Sequence, residues 1–204
     1  MKNQGKKYGL GALAVALLVW FDQWTKQLAQ EHLTAGPHVI WDGVFELRYS
    51  INKGAAFGIL QNQRIFFIIS TCLVLAAILY CYHKIPATKK NLPLLALCVS
   101  VTAGALGNFI DRLYLEYVID FLYFKLINFP IFNVADIFIT VGAVFFLLYM
   151  FVTEFDDKKK KEAEKLIREI EKDIESYVPE QMPVAFVEEK DIGEDEPDEV
   201  REDE

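Results

Sequence analysis

The stretch FELRYSINKGAAFGIL, Phe45 to Leu60, sets an alternating pattern in the middle of an otherwise strongly apolar chain. Its first eight residues, Phe45 to Asn52, alternate apolar and polar side chains, which is the period of a half-buried β-strand. A Gly-Ala-rich run follows directly. Most of the chain on either side, as far as Thr153, consists of apolar runs typical of membrane helices. The sequence therefore predicts one short strand carried between membrane-spanning helices.

Four long apolar runs predict an all-α membrane protein with four transmembrane helices. Of the 204 residues, 53% are hydrophobic. The runs cover Tyr8 to about Ala29, Ile65 to Tyr82, Leu92 to Ile110, and Ile137 to Thr153. Each reaches or approaches the roughly 20 residues that cross a bilayer core of about 30 Å. A cleaved signal peptide is the alternative for the first run, but WFDQW at residues 20–24 contains no small-x-small cleavage site, so we expect an uncleaved span.

Charge is distributed unevenly along the chain. Through Thr153 there are 12 Lys and Arg against 8 Asp and Glu, whereas from Glu154 onward the numbers are 9 and 21. The net charge of −8 therefore reflects the C-terminal segment alone. We expect a membrane domain over residues 1–153 and a charged cytoplasmic tail over residues 154–204, helical to about residue 177 and disordered beyond it. No nucleic-acid partner is expected.

The lysines predict the orientation in the membrane, because Lys and Arg accumulate in cytoplasmic loops. They form three groups, before the first run, between the second and third runs, and after the fourth: Lys2, Lys6 and Lys7; Lys84, Lys89 and Lys90; and Lys158 to Lys161. Both termini are thus expected in the cytoplasm. Residues 30–64, which include the strand, and a loop over residues 113–130 are expected outside.

Polar residues within or beside the apolar runs all fall near the predicted outer ends: Asp22, Lys26, Asn108, Asp111, Arg112, Asp120, Asn133 and Asp136. A carboxylate at the centre of a spanning helix costs about 2.5–3.5 kcal/mol, so such residues need a structural or functional reason. Asp22 and Lys26 have the i,i+4 spacing, acid first, that favours a helical ion pair. For Asp111, the adjacent Arg112 makes a structural ion pair the leading interpretation.

Asp120 and Asp136 differ because each has apolar neighbours and no adjacent cation. Burial raises the pKa of a carboxyl group, and two neighbouring carboxylates cannot both ionise easily. Such a pair shares a proton, so one member can act as base and the other as acid, as in aspartic proteases. A proton relay or ion pathway would use intramembrane carboxylates equally well. The residues by themselves leave hydrolase and transporter open.

A metal site is not expected from the sequence. Cys72, Cys81 and Cys98 lie inside the second and third runs without CxxC spacing. The chain also has no cluster of histidines and no HExxH motif. Small apolar core residues are the leading interpretation of these cysteines.

Five motifs, in chain order, resemble those of the prolipoprotein signal peptidases, also called signal peptidase II. They are DQWTK at Asp22–Lys26, NKGAAFG at Asn52–Gly58, GNFIDR at Gly107–Arg112, VIDF at Val118–Phe121 and FNVAD at Phe132–Asp136. The resemblance covers nearly all of residues 8–153. It implies an aspartyl endopeptidase of the bacterial cytoplasmic membrane that removes signal peptides from diacylglyceryl-modified prolipoproteins, just before the lipidated cysteine. It also implies a small extracytoplasmic β-cradle, about residues 43–58, and an active site near the outer face.

The resemblance further implies roles for individual residues. The catalytic pair would be Asp120 and Asp136. The substrate-binding or supporting positions would be Asp22, Lys26, Asn52, Gly54, Asn108, Asp111, Arg112 and Asn133. No metal or organic cofactor is implied, the expected partners are prolipoprotein substrates and membrane lipid, and we expect a monomer.

Four individual positions carry more specific expectations. Gly54 and Gly58 would permit close approach of the backbone to substrate. Asn52 would hydrogen-bond an extended substrate strand or the ester groups of its lipid. Glu116 stands where the family often has Gly, which puts the backbone angle that glycine allows in question there.

Overall fold

A computed structural model describes residues 2–55 and 59–177 as four α-helices and a three-stranded sheet. The helices are α1 (Lys2–His32), α2 (Arg64–Lys84), α3 (Leu92–Tyr114) and α4 (Val134–Tyr177), and the strands are β1 (His38–Trp41), β2 (Phe45–Asn52) and β3 (Val118–Phe124). The strand predicted over Phe45–Asn52 is confirmed with the same bounds. A mostly helical fold with a small sheet is likewise confirmed.

Three of the described helices are long and apolar enough to cross a membrane: α2, α3, and α4 over Val134–Ile174. Every residue of α2 is described and none is buried, so large side chains such as Leu73 and Leu79 face outward, as lipid contact requires. Helix α1 is less apolar because Asp22, Gln23 and Lys26 interrupt its run. The count of four spans therefore stays a prediction.

Helix α3 lies close to the other helices because it carries buried small residues on more than one side. These residues are Ala103, Gly104, Ala105 and Gly107. A Cβ added to Gly104 would collide with the backbone carbonyl of Ala135, so α4 approaches at backbone distance. The hydroxyl of Ser100 donates to the carbonyl of Phe138 at 2.9 Å across the same contact. Small residues permit such close approach between membrane helices.

The sheet is antiparallel in the order β1-β2-β3, and its register places Ser50 opposite Asp120 and Asn52 opposite Val118. This corrects the prediction of a cradle over residues 43–58 and of a loop over residues 113–130. Strand β3 comes from that second segment and was missed because Val118–Phe121 are four consecutive buried residues without alternation. A short apolar run cannot be assigned to a strand by periodicity alone.

Glu116 lies between α3 and β3 with a φ of 72°. This left-handed conformation is the one that glycine usually supplies after a helix. The carboxylate of Glu116 pairs with Arg64, whose guanidinium also donates to the carbonyl of Leu113 at 2.9 Å. The glycine-type backbone angle is therefore retained by a glutamate.

The chain divides into two compact units, Met1–Glu154 and Phe155–Glu204. The described part of the second unit is helical to Tyr177. Its apolar side chains Leu166, Ile167, Ile170 and Ile174 are exposed. The disorder predicted beyond residue 177 and the role predicted for Gly58 both lie outside the described residues.

Candidate active site

Strand β3 and the first turn of α4 bring Asp120 and Asp136 to one cleft of about 640 Å³. We call these two residues the aspartate pair. Asp120 is 2% exposed, whereas Asp136 is half-buried. Most of the remaining lining is apolar and comes from α2, α3 and α4, from the start of β3, and from residues 54–55 and 129–132. Two carboxyl groups thus share a largely apolar cleft, which we call the apolar cleft.

Neutral donors hold all four oxygens of the aspartate pair. Asp120 accepts hydrogen bonds from the amide of Asn52 at 2.9 Å and from the amide of Asn133 at 2.6 Å. Asp136 accepts from the amide of Asn108 at 2.7 Å and from the backbone N–H of Asn133 at 3.1 Å. Within the described part of the chain, neither carboxyl group forms an ion pair. Neutral hydrogen-bond donors therefore fix the positions of both carboxyl groups, and among the described residues no bonded cation favours their ionised form.

The FNVAD motif has a local structural reason, since Asn133 immediately precedes α4. The Asn133 side-chain oxygen accepts the N–H of Asp136 at 3.0 Å, and the Asp136 carboxylate accepts the N–H of Asn133 in return. Reciprocal bonds of this kind form a capping box, which satisfies unpaired donors at a helix N-terminus. The same motif therefore starts α4, orients Asp136 and aims the amide of Asn133 at Asp120.

The surroundings of the aspartate pair favour one shared proton. Burial, followed by the charge of Asp136, raises the pKa of Asp120 from 3.8 to about 7, against the opposing hydrogen bonds from Asn52 and Asn133. Asp136 lies in the first turn of α4, where the helix dipole favours a negative charge. The raised pKa of Asp120 and the nearness of a second carboxyl group allow the two groups to share a proton.

A buried ion cluster, which we call the anchor, lies beside the aspartate pair and consists of Asp22, Lys26 and Asp111. The Lys26 ammonium is 2.9 Å from a carboxylate oxygen of each aspartate and donates to the Asn108 side-chain oxygen at 2.9 Å. These bonds use all three donors of the ammonium. The predicted ion pair between Asp22 and Lys26 is confirmed.

The predicted partnership of Asp111 with Arg112 is wrong. Asp111 pairs with Lys26, whereas Arg112 donates to the backbone carbonyl of Gly54 at 3.2 Å and lies 4.6 Å from the ring centre of Phe67. Consecutive residues on a helix do not face each other, so these two side chains reach different elements.

The anchor fixes the two segments that carry the aspartate pair. Asp22 accepts the N–H of Ala135 at 2.8 Å, and Asp111 accepts the N–H of Ile119 at 3.2 Å. Ala135 and Ile119 are the residues immediately before the two members of the pair. Gly107 leaves room for this arrangement, because a Cβ there would collide with the Asp22 carboxylate.

Gly54 is buried, and its N–H donates to the side-chain oxygen of Asn52 at 2.9 Å. A Cβ on Gly54 would lie 2.6 Å from the backbone carbonyl oxygen of Ile59. The chain's own loop therefore accounts for this glycine. The predicted approach of substrate backbone at Gly54 remains untested, as does a contact between Asn52 and substrate.

Gln23 is a supporting residue that the sequence reasoning missed. Its amide donates to Asp111 at 2.9 Å, to Asp22 at 3.2 Å and to the Gly107 carbonyl at 3.1 Å. Its place inside DQWTK was the available signal. The side chain supplements the anchor from the same turn of α1.

The described residues, 2–55 and 59–177, contain no cluster of side chains typical of a metal site. No group of three or more His, Cys, Asp or Glu in these ranges could hold a metal ion. Cys72 and Cys81 are exposed and Cys98 is buried, and none of the three lines the apolar cleft. The cysteine sulfurs therefore lie outside the candidate site.

Comparison with known proteins identifies the family. Residues 14–152 match the family model described as signal peptidase (SPase) II. The lipoprotein signal peptidase of Streptococcus thermophilus strain CNRZ 1066 is 39% identical over 143 residues, covering 70% of this chain and 92% of the relative. That of Brevibacillus brevis strain 47 is 43% identical over 151 residues, covering 73% and 97%. A bacterial membrane enzyme solved by the in meso method at 2.3 Å resolution is 32% identical, with a TM-score of 0.63 over 70% of this chain and 88% of that one. The chain therefore belongs to the signal peptidase II family.

Proposed function

We propose that this protein is a membrane aspartyl endopeptidase that cleaves the signal peptide from diacylglyceryl-modified bacterial prolipoproteins, on the N-terminal side of the lipidated cysteine. Membership of the signal peptidase II family supports cleavage of prolipoprotein signal peptides. The aspartyl mechanism rests on one observation. Asp120 and Asp136 line a single cleft, and among the described residues their hydrogen bonds come from neutral groups.

In the proposed reaction, the ionised Asp136 takes a proton from water as the water oxygen bonds to the scissile carbonyl carbon. Asp120 donates its proton to the carbonyl oxygen, which gives a neutral tetrahedral diol. The C–N bond then breaks, the leaving nitrogen takes the proton held by Asp136, and a diol hydroxyl returns a proton to Asp120. The products are a carboxylic acid and an amine, and the aspartate pair is back in its starting state.

The amides around the aspartate pair act as positioning groups in this scheme. Asn52, Asn108 and Asn133 each present an amide N–H to a carboxyl oxygen. An amide does not titrate in the range where carboxyl groups do, so it orients the aspartates without exchanging protons with them. This leaves the shared proton free to move to substrate.

The apolar cleft suits a substrate that carries acyl chains. Its wall includes Phe67 and Val74 of α2 and Ile137 and Val141 of α4. Such a wall lets acyl chains move from the bilayer to the cleft without exposing hydrocarbon to water. We place the acyl chains and the signal helix on this side, so that the scissile bond meets the aspartate pair at the end of the cleft.

The proposed enzyme is a monomer with four spans in the bacterial cytoplasmic membrane, both termini in the cytoplasm and the aspartate pair near the outer face. Lys7 supports this arrangement, because its ammonium contacts the carbonyls of Tyr82 and Ile85 and so joins the start of α1 to the end of α2. Reporter fusions after Lys90 and after Lys161 should give cytoplasmic signals, and one within residues 36–43 an external signal. A cytoplasmic signal from the last fusion would contradict the topology.

The decisive test is incubation of the purified protein with a diacylglyceryl-modified prolipoprotein. We expect a shorter product whose new N-terminus is the lipidated cysteine, and no product from the same precursor without lipid. Gel mobility and mass of the product give the readout. Failure of correctly inserted protein to cut the modified precursor would overturn the proposal and favour the transporter interpretation.

A further inference from the structure

A second cleft, of about 400 Å³, lies on the other side of Asp120, and we call it the outer cleft. It shares Asn52, Asp120 and the loop at residues 129–131 with the apolar cleft. Its remaining wall is mainly polar, with Arg48, Ser50 and Tyr123 among its lining residues. The two clefts thus meet at Asp120 but differ in chemistry.

The outer cleft carries a positive charge that is held in place. The carboxylate of Glu46, only 3% exposed, pairs with Arg48 through one oxygen and with Lys125 at 3.4 Å through the other. Glu46, Arg48 and Lys125 together carry a net charge of +1, and of these three residues Arg48 is the one that lines the outer cleft. The Arg48 guanidinium lies 4.9 Å from the ring centre of Tyr123, and its side chain is 43% exposed. Arg48 is therefore oriented by its neighbours and still accessible.

The register of the sheet gives the distance from the aspartate pair to Arg48. Ser50 lies opposite Asp120, and Arg48 is two residues further along β2, away from Asn52. At about 3.3 Å per residue, the two backbone positions on β2 are separated by about 7 Å. An extended peptide that starts at the scissile bond covers this distance in two to three residues. Because the arginine side chain is itself long, Arg48 can also contact a peptide residue one position further along.

We propose that the outer cleft binds the first residues of the mature polypeptide and that Arg48 favours Asp or Glu at the second to fourth residue after the scissile bond. This inference rests on the proposed function. The acyl chains and the signal helix are apolar and suit the apolar cleft, whereas the chain that follows the lipidated cysteine must continue towards water. Of the two clefts that meet at Asp120, the outer cleft is the polar one. An arginine fork binds a carboxylate through two parallel hydrogen bonds, which gives it a preference over neutral or basic side chains.

The test uses lipid-modified prolipoprotein peptides that differ only in carrying Asp, Asn or Lys at the third residue of the mature segment. We expect kcat/KM to fall in that order, with the Asp peptide about tenfold better than the Lys peptide. Arg48→Gln should bring the ratio of kcat/KM for the Asp peptide to that for the Lys peptide to within about twofold. Arg48→Glu should reverse the order.

Two controls separate this site from a general charge effect and from misfolding. Lys53→Gln removes the same charge from an exposed residue outside the outer cleft and should leave the ratio unchanged. Arg48→Lys keeps the charge without the planar fork, so part of the preference for Asp should remain even if Arg48→Gln does not fold.

The outcomes distinguish the two proposals. Equal cleavage of all three peptides by the wild-type protein would overturn the inference while leaving the proposed function intact. A preference for Asp that survives Arg48→Gln would remove the assignment to Arg48. If the wild-type protein cuts none of the peptides, the proposed function itself fails.

Discussion

The anchor and the aspartate pair contain the same acidic side chains in opposite surroundings. In the anchor, Asp22 and Asp111 both contact the ammonium of Lys26 at 2.9 Å. In the aspartate pair, amides and one backbone N–H take the place of the cation. A bonded cation favours the ionised form of a buried carboxyl group, whereas neutral donors fix the position of the group without adding a compensating charge. The two groups of carboxylates thus differ in whether their bonding partners are charged or neutral.

Asn108 connects the two regions. Its side-chain oxygen accepts from Lys26 at 2.9 Å and from Asn133 at 3.1 Å, and its amide nitrogen donates to Asp136 at 2.7 Å. The positive charge of the anchor thus determines which end of this amide faces the aspartate pair. Through Asn108, the anchor therefore helps to orient the aspartate pair.

Removal of either member of the aspartate pair should have the largest effect. Asp120→Asn and Asp136→Asn should each lower cleavage of a lipidated prolipoprotein by several orders of magnitude, because an amide can neither accept the proton of water nor share one with its partner. The double variant should be scarcely slower than either single variant, as expected for residues acting as one unit. Single-turnover cleavage by purified, folded protein measures this.

Asp111→Asn is the matched control, because it alters a carboxylate of the anchor instead. It should lower stability more than turnover, through loss of its ion pair with Lys26. Substantial cleavage by well-folded Asp120→Asn or Asp136→Asn would show that the pair is misassigned, and Asp111 would become the next candidate.

Removal of the cation from the anchor should cost mainly stability. Lys26→Met leaves two buried carboxylates without their partner, and breaking a buried ion pair in this way costs about 3–5 kcal/mol. The free energy of unfolding in detergent gives the measurement. Lys165, which is 80% exposed and paired with Glu169, offers a control in which the same substitution should change little. Equal effects of the two substitutions would contradict the role of the anchor.

The pH dependence should distinguish the two regions further. Since the pKa of Asp120 is raised from 3.8 to about 7, the shared proton is lost as the pH rises through about 7, and turnover should fall there. Because the folded pKa is the higher one, the contribution of Asp120 to stability is fully present below about pH 4 and lost as the pH rises to about 7. Asp120→Asn should therefore gain stability relative to wild type as the pH rises.

Melting temperatures of wild type and Asp120→Asn between pH 4 and pH 8, together with the pH–rate profile of wild type, check this prediction. A constant difference in melting temperature across that range would show that Asp120 does not change its protonation state there.

The smallest effect is expected at Glu116, outside both regions. Glu116→Gly removes the cost of a left-handed residue, about 1 kcal/mol, and an exposed ion pair with Arg64 that contributes about 0–1 kcal/mol. The net change in unfolding free energy should stay within about 1 kcal/mol, with turnover unchanged. Glu116→Ala loses the pair but keeps the unfavourable angle, so it should be less stable than Glu116→Gly. Equal stability of the two variants would mean that the angle costs nothing.

Features that depend on neighbouring residues could be predicted from the sequence. Alternation over Phe45–Asn52 predicted β2 with its observed bounds, and the i,i+4 spacing of Asp22 and Lys26 predicted their ion pair. Both follow from the fixed period of a strand or a helix, which acts over a few residues. The five motifs also identified the family before any contact was known.

Only the tertiary structure decided which distant groups meet. Asp22 bonds the N–H of Ala135, 113 residues away, and Asp111 bonds Lys26 in preference to the adjacent Arg112. Strand β3 forms because its backbone pairs with that of β2. Gly54 is required because the carbonyl oxygen of Ile59 occupies the space that a Cβ would need. Each of these contacts depends on how separate elements pack. The period of a helix or strand describes only a few neighbouring residues, so it cannot predict a contact with a residue tens of positions away.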